Sequence, residues 1–160
     1  MQTLETKTFF CDYSNPAHKQ AVSDLINVYI ADEMGGGNPL SAEKAERLVE
    51  NLEKHPKSVV ILAETAGIFS GLLVAFENFS TFTVRPMVNI HDVIVRKEYR
   101  GQGVGRKLMD ALIEEAGKRQ CSRITLEVRH DNDTAQKLYR SLGFEDAEPV
   151  HFYWRKYLLS

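Results

Sequence analysis

Residues 95–106 read Val-Arg-Lys-Glu-Tyr-Arg-Gly-Gln-Gly-Val-Gly-Arg, and the main chain of this stretch can do chemistry that no side chain supplies. Gly101, Gly103 and Gly105 let backbone N–H groups approach a ligand closely and adopt positive φ. The loop runs straight into a helix predicted to start near Val104, where unpaired N–H groups and the helix dipole favour an anion. Arg100 and Arg106 add positive charge suited to phosphate oxygens. A diphosphate is the ligand this constellation would hold. A dinucleotide fingerprint fails, because its third glycine position is Arg106, and a P-loop fails at the same residue. On glycine spacing alone, a turn with solvated arginines is the other reading.

Titratable groups in predicted strands come next. In Ile-Thr-Leu-Glu-Val-Arg (residues 124–129), alternation sets Glu127 with Thr125 and Arg129 on one face. A carboxylate inside a strand is costly unless it is paired, solvated or used, so Glu127 is either a base or half of a salt bridge to Arg129 or Arg123. His91 and Asp92 fall on opposite faces of the preceding strand by the same alternation. Histidine titrates near neutrality and suits proton transfer, but an isolated strand histidine is more often a satisfied core or rim residue. Adjacent strand residues diverge, so His91 and Asp92 are not a metal pair. Cys11 and Cys121 form no CxxC motif, so no metal site is expected, and both read as buried free thiols.

The elements that must carry these residues follow from periodicity. A short strand over residues 6–11 precedes a helix that starts at Asn15-Pro16, carries Ala21, Val22, Leu25, Ile26, Val28 and Tyr29, and ends by Gly35-Gly36-Gly37 and Pro39. Ser41 caps a second helix, with Ala45, Leu48, Val49 and Leu52 inward and a stop at His55-Pro56. Residues 58–64 and 68–82 form an antiparallel hairpin about Ala66-Gly67, and residues 87–95 another strand. A helix over 104–119, a strand over 124–129, a helix over 134–142 and a last strand over 152–158 complete the chain. Strand, helix and strand between Met87 and Arg129 make a βαβ unit with parallel strands. A hairpin ahead of such a unit implies a mixed sheet with helices on its faces, in the α+β or α/β class.

Arg100-Gly101-Gln102-Gly103-Val104-Gly105 resembles the R/Q-x-x-G-x-G/A pyrophosphate loop of the GNAT superfamily of N-acetyltransferases. Asn132, Ala135, Leu138, Tyr139, Gly143 and Phe144 resemble that family's N-x-x-A-x-x-L-Y-x-x-x-G-F signature, in the right order and on the right predicted elements. The resemblance runs from about Ile90 to Phe144 and implies a GNAT-like fold: a mixed, mostly antiparallel sheet with one parallel βαβ unit and helices on both faces. It implies acetyl-CoA as co-substrate. Its diphosphate would rest on Arg100, Gly101, Gln102, Gly103, Val104, Gly105 and Arg106, and its pantetheine arm along the backbone of Val93, Ile94 and Val95, freed by a bulge or splay. Asn132 would contact the pantetheine or only cap its helix.

The same resemblance makes Tyr139 the general acid that protonates the leaving thiolate, although Ala135, Leu138 and Leu142 share its helical face and a core role is open. Leu126 to Tyr139 looks like the ribosomal-protein N-terminal acetyltransferase version of the signature, in which the glutamate matching Glu127 deprotonates the amine through water. Some small-molecule acetyltransferases of the family carry an acid where His91 stands.

At 160 residues, with 43% hydrophobic and 26% charged, the chain suits a single domain over 1–160 and excludes wholesale disorder. A net charge of -2 gives no broad reason to expect nucleic acid or an anionic membrane as partner. The first ten residues lack a signal-peptide pattern and no apolar run reaches the ~20 residues of a bilayer span, so the expectation is a soluble, cytoplasmic protein.

The expected reaction moves the acetyl group from acetyl-CoA to a primary amine of a small molecule by direct attack in a ternary complex. The alternatives are acetylation of a protein N-terminus or non-catalytic acyl-CoA sensing. Gly35, Gly36, Gly37, Phe76, Phe79 and Phe82, with Phe152, Tyr153 and Trp154, could shape the acceptor cleft, but sheet core or a homodimer interface is the plainer reading. Asp32 and Glu33 could attract a cationic amine.

Overall fold

The hairpin that organises the sheet turns on Ala66 and Gly67, both at positive φ (51° and 80°), as a two-residue hairpin of primed type requires. The structure, a computed structural model, describes residues 5–159. In chain order these form β1 (Thr6–Phe10), α1 (Pro16–Ile30), α2 (Ala42–Lys54), β2 (Ser58–Thr65), β3 (Ile68–Ser80), β4 (Arg85–Val95), α3 (Val104–Lys118), β5 (Ile124–Leu126) and α4 (Asp133–Ser141). Strand order is β1-β2-β3-β4-β5, antiparallel except for the parallel β4–β5 pair, so the expected mixed sheet with one βαβ unit is what the chain adopts. The chain divides into two compact units, one through Glu127 and one from Val128.

In the first unit the helix starts are set by the residues that the sequence marks. Asn15 Oδ1 accepts from Ala17 N at 2.9 Å with Pro16 in the first helical turn, and Ser41 Oγ accepts from Lys44 N at 3.4 Å. α1 and α2 place Val22, Leu25, Val49 and Leu52 over Val60, Leu62, Leu72, Val74 and Ile94 of the sheet. The opposite face takes α3, whose Leu108, Met109, Leu112 and Ala116 are buried. Gly71 lets α3 approach: a Cβ there would stand 3.0 Å from Val104 Cγ1 and from Leu108 Cδ1. Among the described residues no helix is long and apolar enough to cross a membrane.

Two expected strands change. β5 is three residues long rather than running to Arg129, because it pairs with β4 only at Val88–Ile90 and the strands part beyond that point. The strand expected over residues 152–158 does not form. Phe152-Tyr153-Trp154 and Arg155-Lys156 are runs, not alternations, so no register puts one face inward and strand propensity alone does not order them.

Candidate active site

β4 ends at Val95, a short 3-10 turn covers Lys97–Tyr99, and the chain then enters α3 through the glycine loop. Gly101 and Gly103 take left-handed φ of 75° and 83°. Gly103 is the N-cap of α3 and offers no capping side chain. Among the described residues, the backbone N–H groups of Gly101 through Gly105 have no hydrogen-bond acceptor. A Cβ built on Gly101 or Gly103 meets no atom within 4 Å, so the loop's outer side is open. The loop is anchored from within: Val104 is buried, and Gln102 Nε2 donates to Glu98 O at 2.8 Å. Unsatisfied amides at a helix start, bare of side chains, fit the diphosphate of coenzyme A.

Arg100 has two partners within the protein. Its Nε donates to Val95 O at 3.0 Å and its Nη2 to Asp32 Oδ2 at 2.8 Å, so the guanidinium ties the end of β4 to the turn after α1. Arg106 is exposed on the first turn of α3. Asp32 is therefore paired rather than waiting for a cationic amine, and Arg100 beside it holds its carboxyl below the usual carboxylate range.

The sheet opens along β4. β5 accompanies it only to Ile90, so from Asp92 to Val95 the edge facing β5 has no strand partner among the described residues. On its other edge Val93, Ile94 and Val95 stay paired, with Leu73, Leu72 and Gly71. The irregularity expected at 93–95 is thus a splay on one side, and a bulge sits just before it: Val74 pairs with Asp92 and Ala75 with Ile90, leaving His91 unmatched.

The bulge overturns the simple alternation. Asp92 lies opposite Val74, on the α1–α2 face, and the His91 ring packs edge-on at 4.9 Å against Phe76 of that same face. His55 meets the same phenyl ring at 4.9 Å. Asp92 is half-buried, its carboxylate has no ion-pair or hydrogen-bond partner among the described residues, and burial pushes that carboxyl up, only partly offset by His91. Strand alternation predicts that Asp92 and His91 face opposite sides of the sheet, and the bulge brings both to one. The signal in the sequence is the adjacent polar pair His91-Asp92 set between Ile90 and Val93-Ile94-Val95.

Glu127 lies one residue past β5, exposed, and makes no ion pair among the described residues. The salt bridges considered for it are not formed. Arg129 forks onto Asp131 at 2.9 and 2.8 Å and holds that carboxyl down to about 2, while Arg123 Nη2 lies 3.6 Å from the Met87 sulfur. Thr125 Oγ1 receives Asn89 Nδ2 at 2.9 Å, which adds a side-chain bond at the middle of the three matched rungs of β4 and β5.

The second unit holds the other motif. Asn132 Oδ1 accepts from Ala135 N at 3.1 Å, so Asn132 caps α4. At the far end Phe144 N donates to Tyr139 O at 3.1 Å and Gly143 N to Arg140 O at 3.0 Å, with Gly143 at φ 86°. This is a Schellman cap, and the Phe144 ring packs on the Tyr139 ring at 6.0 Å as the hydrophobic contact of that cap. The spacing from Tyr139 to Gly143-Phe144 is thus a device that ends α4 and steadies the Tyr139 side chain. Of the first unit's aromatics proposed for an acceptor cleft, Phe79 and Phe82 are 61% and 93% exposed, and Phe76 packs on the face where Asp92 lies.

Comparison with known proteins bears directly on this arrangement. Residues 23–144 match the profile of the Acetyltransferase (GNAT) family. The chain is 32% identical over 133 residues to the Uncharacterized N-acetyltransferase YhfO of Bacillus subtilis (strain 168), covering 82% of this chain and 87% of that one. Over 67 residues, 42% of this chain and 45% of the relative, it is 40% identical to the [Ribosomal protein bS18]-alanine N-acetyltransferase of Escherichia coli (strain K12). The crystal structure of a probable acetyltransferase superposes with a TM-score of 0.82 over 98% of this chain and all of its own, at 21% identity, a likeness of fold.

Proposed function

The chain belongs to the GNAT family of acetyltransferases and is an acetyl-CoA-dependent N-acetyltransferase, and from that premise we propose that its acceptor is the primary amine of a small molecule, attacked directly while both substrates are bound. The observation that carries this reading is the half-buried, unpaired Asp92 carboxylate next to His91, whose ring packs on Phe76, on the α1–α2 face at the start of the open β4 edge. A partly buried, unpaired carboxylate suits a compact ammonium group, which it can both attract and deprotonate.

Acetyl-CoA supplies the activated acetyl group. The amides of Gly101, Gln102, Gly103, Val104 and Gly105 receive its diphosphate, and the free β4 edge at Val93, Ile94 and Val95 receives its pantetheine arm by adding main-chain hydrogen bonds. An N–H of that edge polarises the acyl carbonyl. Arg106 adds charge near the phosphates. Asn132, whose oxygen caps α4, is the motif's candidate contact for the pantetheine. Asp92 takes the amine proton. Glu127, the residue that the motif singles out, is the second candidate for that step. Tyr139 returns a proton to the thiolate, a role carried by the signature alone. The two compact units together make one acetyltransferase domain over 1–160, a reading supported by a family match that runs across their boundary.

The likeness to the ribosomal-protein enzyme favours a second reading, acetylation of a protein N-terminus. Thiol release from acetyl-CoA, measured with a panel of polyamines, amino acids and aminoglycosides beside short peptides, decides between them. Turnover confined to peptides would overturn the small-molecule reading. Tight coenzyme A binding with no turnover on any amine would leave a sensor.

A further inference from the structure

Resting on the reading of residues 101–105 as the diphosphate cradle, we propose that the Asp32–Arg100 pair is a positioning clamp that couples coenzyme A binding to the order of the turn at residues 31–37. The two residues are 68 apart in sequence and meet at 2.8 Å. A guanidinium is a planar, rigid fork, so Arg100, holding Val95 O through Nε and Asp32 through Nη2, fixes the two acceptors relative to each other.

The turn is built around Asp32. Its Oδ1 accepts Met34 N at 3.0 Å, and its backbone carbonyl accepts Gly35 N at 2.9 Å and Gly36 N at 3.0 Å. The path is tight: a Cβ on Gly35 would stand 2.0 Å from Tyr29 O, so only glycine passes there. Arg100 is bonded directly to Gly101, so whatever immobilises the loop backbone immobilises the root of the clamp. A carboxylate beside a diphosphate would repel it unless neutralised, and Arg100 does this while spanning the gap. The clamp therefore carries order from the nucleotide loop to the connection between α1 and α2, which Arg100 ties to the end of β4 at Val95. Asp32 and Arg100 act through the turn and are positioning residues.

Amide hydrogen exchange of Met34, Gly35 and Gly36, with and without saturating coenzyme A, tests the clamp. Asp32→Asn is the informative variant: an asparagine oxygen still accepts Met34 N, so the turn keeps its internal bond and loses only the charged link. Arg100→Lys is the second, because an ammonium keeps the charge and loses the rigid planar fork that holds both acceptors. In the unaltered protein, coenzyme A should slow exchange at these amides about fivefold, the size expected of one partly exposed ion pair.

In both variants that ratio should fall to near one. A merely structural role would speed exchange equally with and without ligand and preserve the ratio, which would overturn the clamp. Coenzyme A that binds the unaltered protein, seen as a rise in melting temperature, without slowing these amides would also overturn it and leave the loop reading standing. Absence of any binding would remove the loop reading and the clamp together.

Discussion

Replacing Gly103 by valine separates the strain of the loop from its use. At φ 83° a β-branched residue costs about 1–2 kcal/mol, and nothing within 4 Å would be struck by the new Cβ, so the cost is conformational rather than steric. For a domain of this size that lowers the melting temperature by about 2–8 °C and leaves the fold intact. Ligand linkage is larger. Coenzyme A at a hundred times its dissociation constant stabilises by about 2.7 kcal/mol, which is about 5–10 °C. The isopropyl group projects into open space at Gly103, the place assigned to the diphosphate. If binding weakens about a hundredfold, the same concentration gives only about 0.4 kcal/mol, or about 1 °C.

Differential scanning fluorimetry with and without coenzyme A reads both effects. Gly67→Val is the control, since Gly67 has φ 80° and equally open surroundings but sits in the β2–β3 hairpin turn. It should lose similar stability and keep the whole ligand shift. A Gly103→Val protein that retains the full shift would refute the cradle.

Asp92→Asn should raise the melting temperature at neutral pH and lower turnover. Burial raises the carboxyl's folded pKa, so its ionised form opposes folding above that pKa; the gain from asparagine should shrink as pH falls through it and vanish below the ordinary carboxylate value. Destabilisation at neutral pH would show that Asp92 is held by a favourable partner instead. Tyr139→Phe, measured by steady-state thiol release across pH, should lose rate chiefly where the thiolate most needs a proton; an unchanged rate at every pH would remove the proton-donor role. Asn132→Ala should cost about 1 kcal/mol in chemical denaturation through loss of the α4 cap, and Asn132→Asp much less. Cys11, pushed up by burial from 9.0 to about 11, should react with iodoacetamide at neutral pH about a hundredfold more slowly than a free thiol, followed by mass spectrometry.

Much of the frame was legible because it is local. Asn15-Pro16, Ser41 and Ala66-Gly67 announce two helix starts and a hairpin turn through chemistry confined to a few adjacent residues. The glycine loop was legible for the same reason: its backbone demand is met within residues 100–106. What escaped was non-local. The bulge at His91 depends on how β3 faces β4, and a single unmatched residue reverses which side of the sheet a neighbour joins. The partner of Arg100 comes from the turn after α1, and no spacing rule in one sequence points there. Residues 152–158 have strand-forming side chains, yet strand formation is decided by what pairs with them, which composition does not specify.

The claim on which the account turns is that main-chain amides of the loop hold the diphosphate. Titration of isotope-labelled protein, following the amide resonances of Gly101 through Gly105, tests it with coenzyme A set against pantetheine, which lacks the phosphates. Coenzyme A should move these resonances strongly and pantetheine should leave them in place. Equal shifts with both ligands, or shifts with coenzyme A that fall elsewhere, would contradict the account.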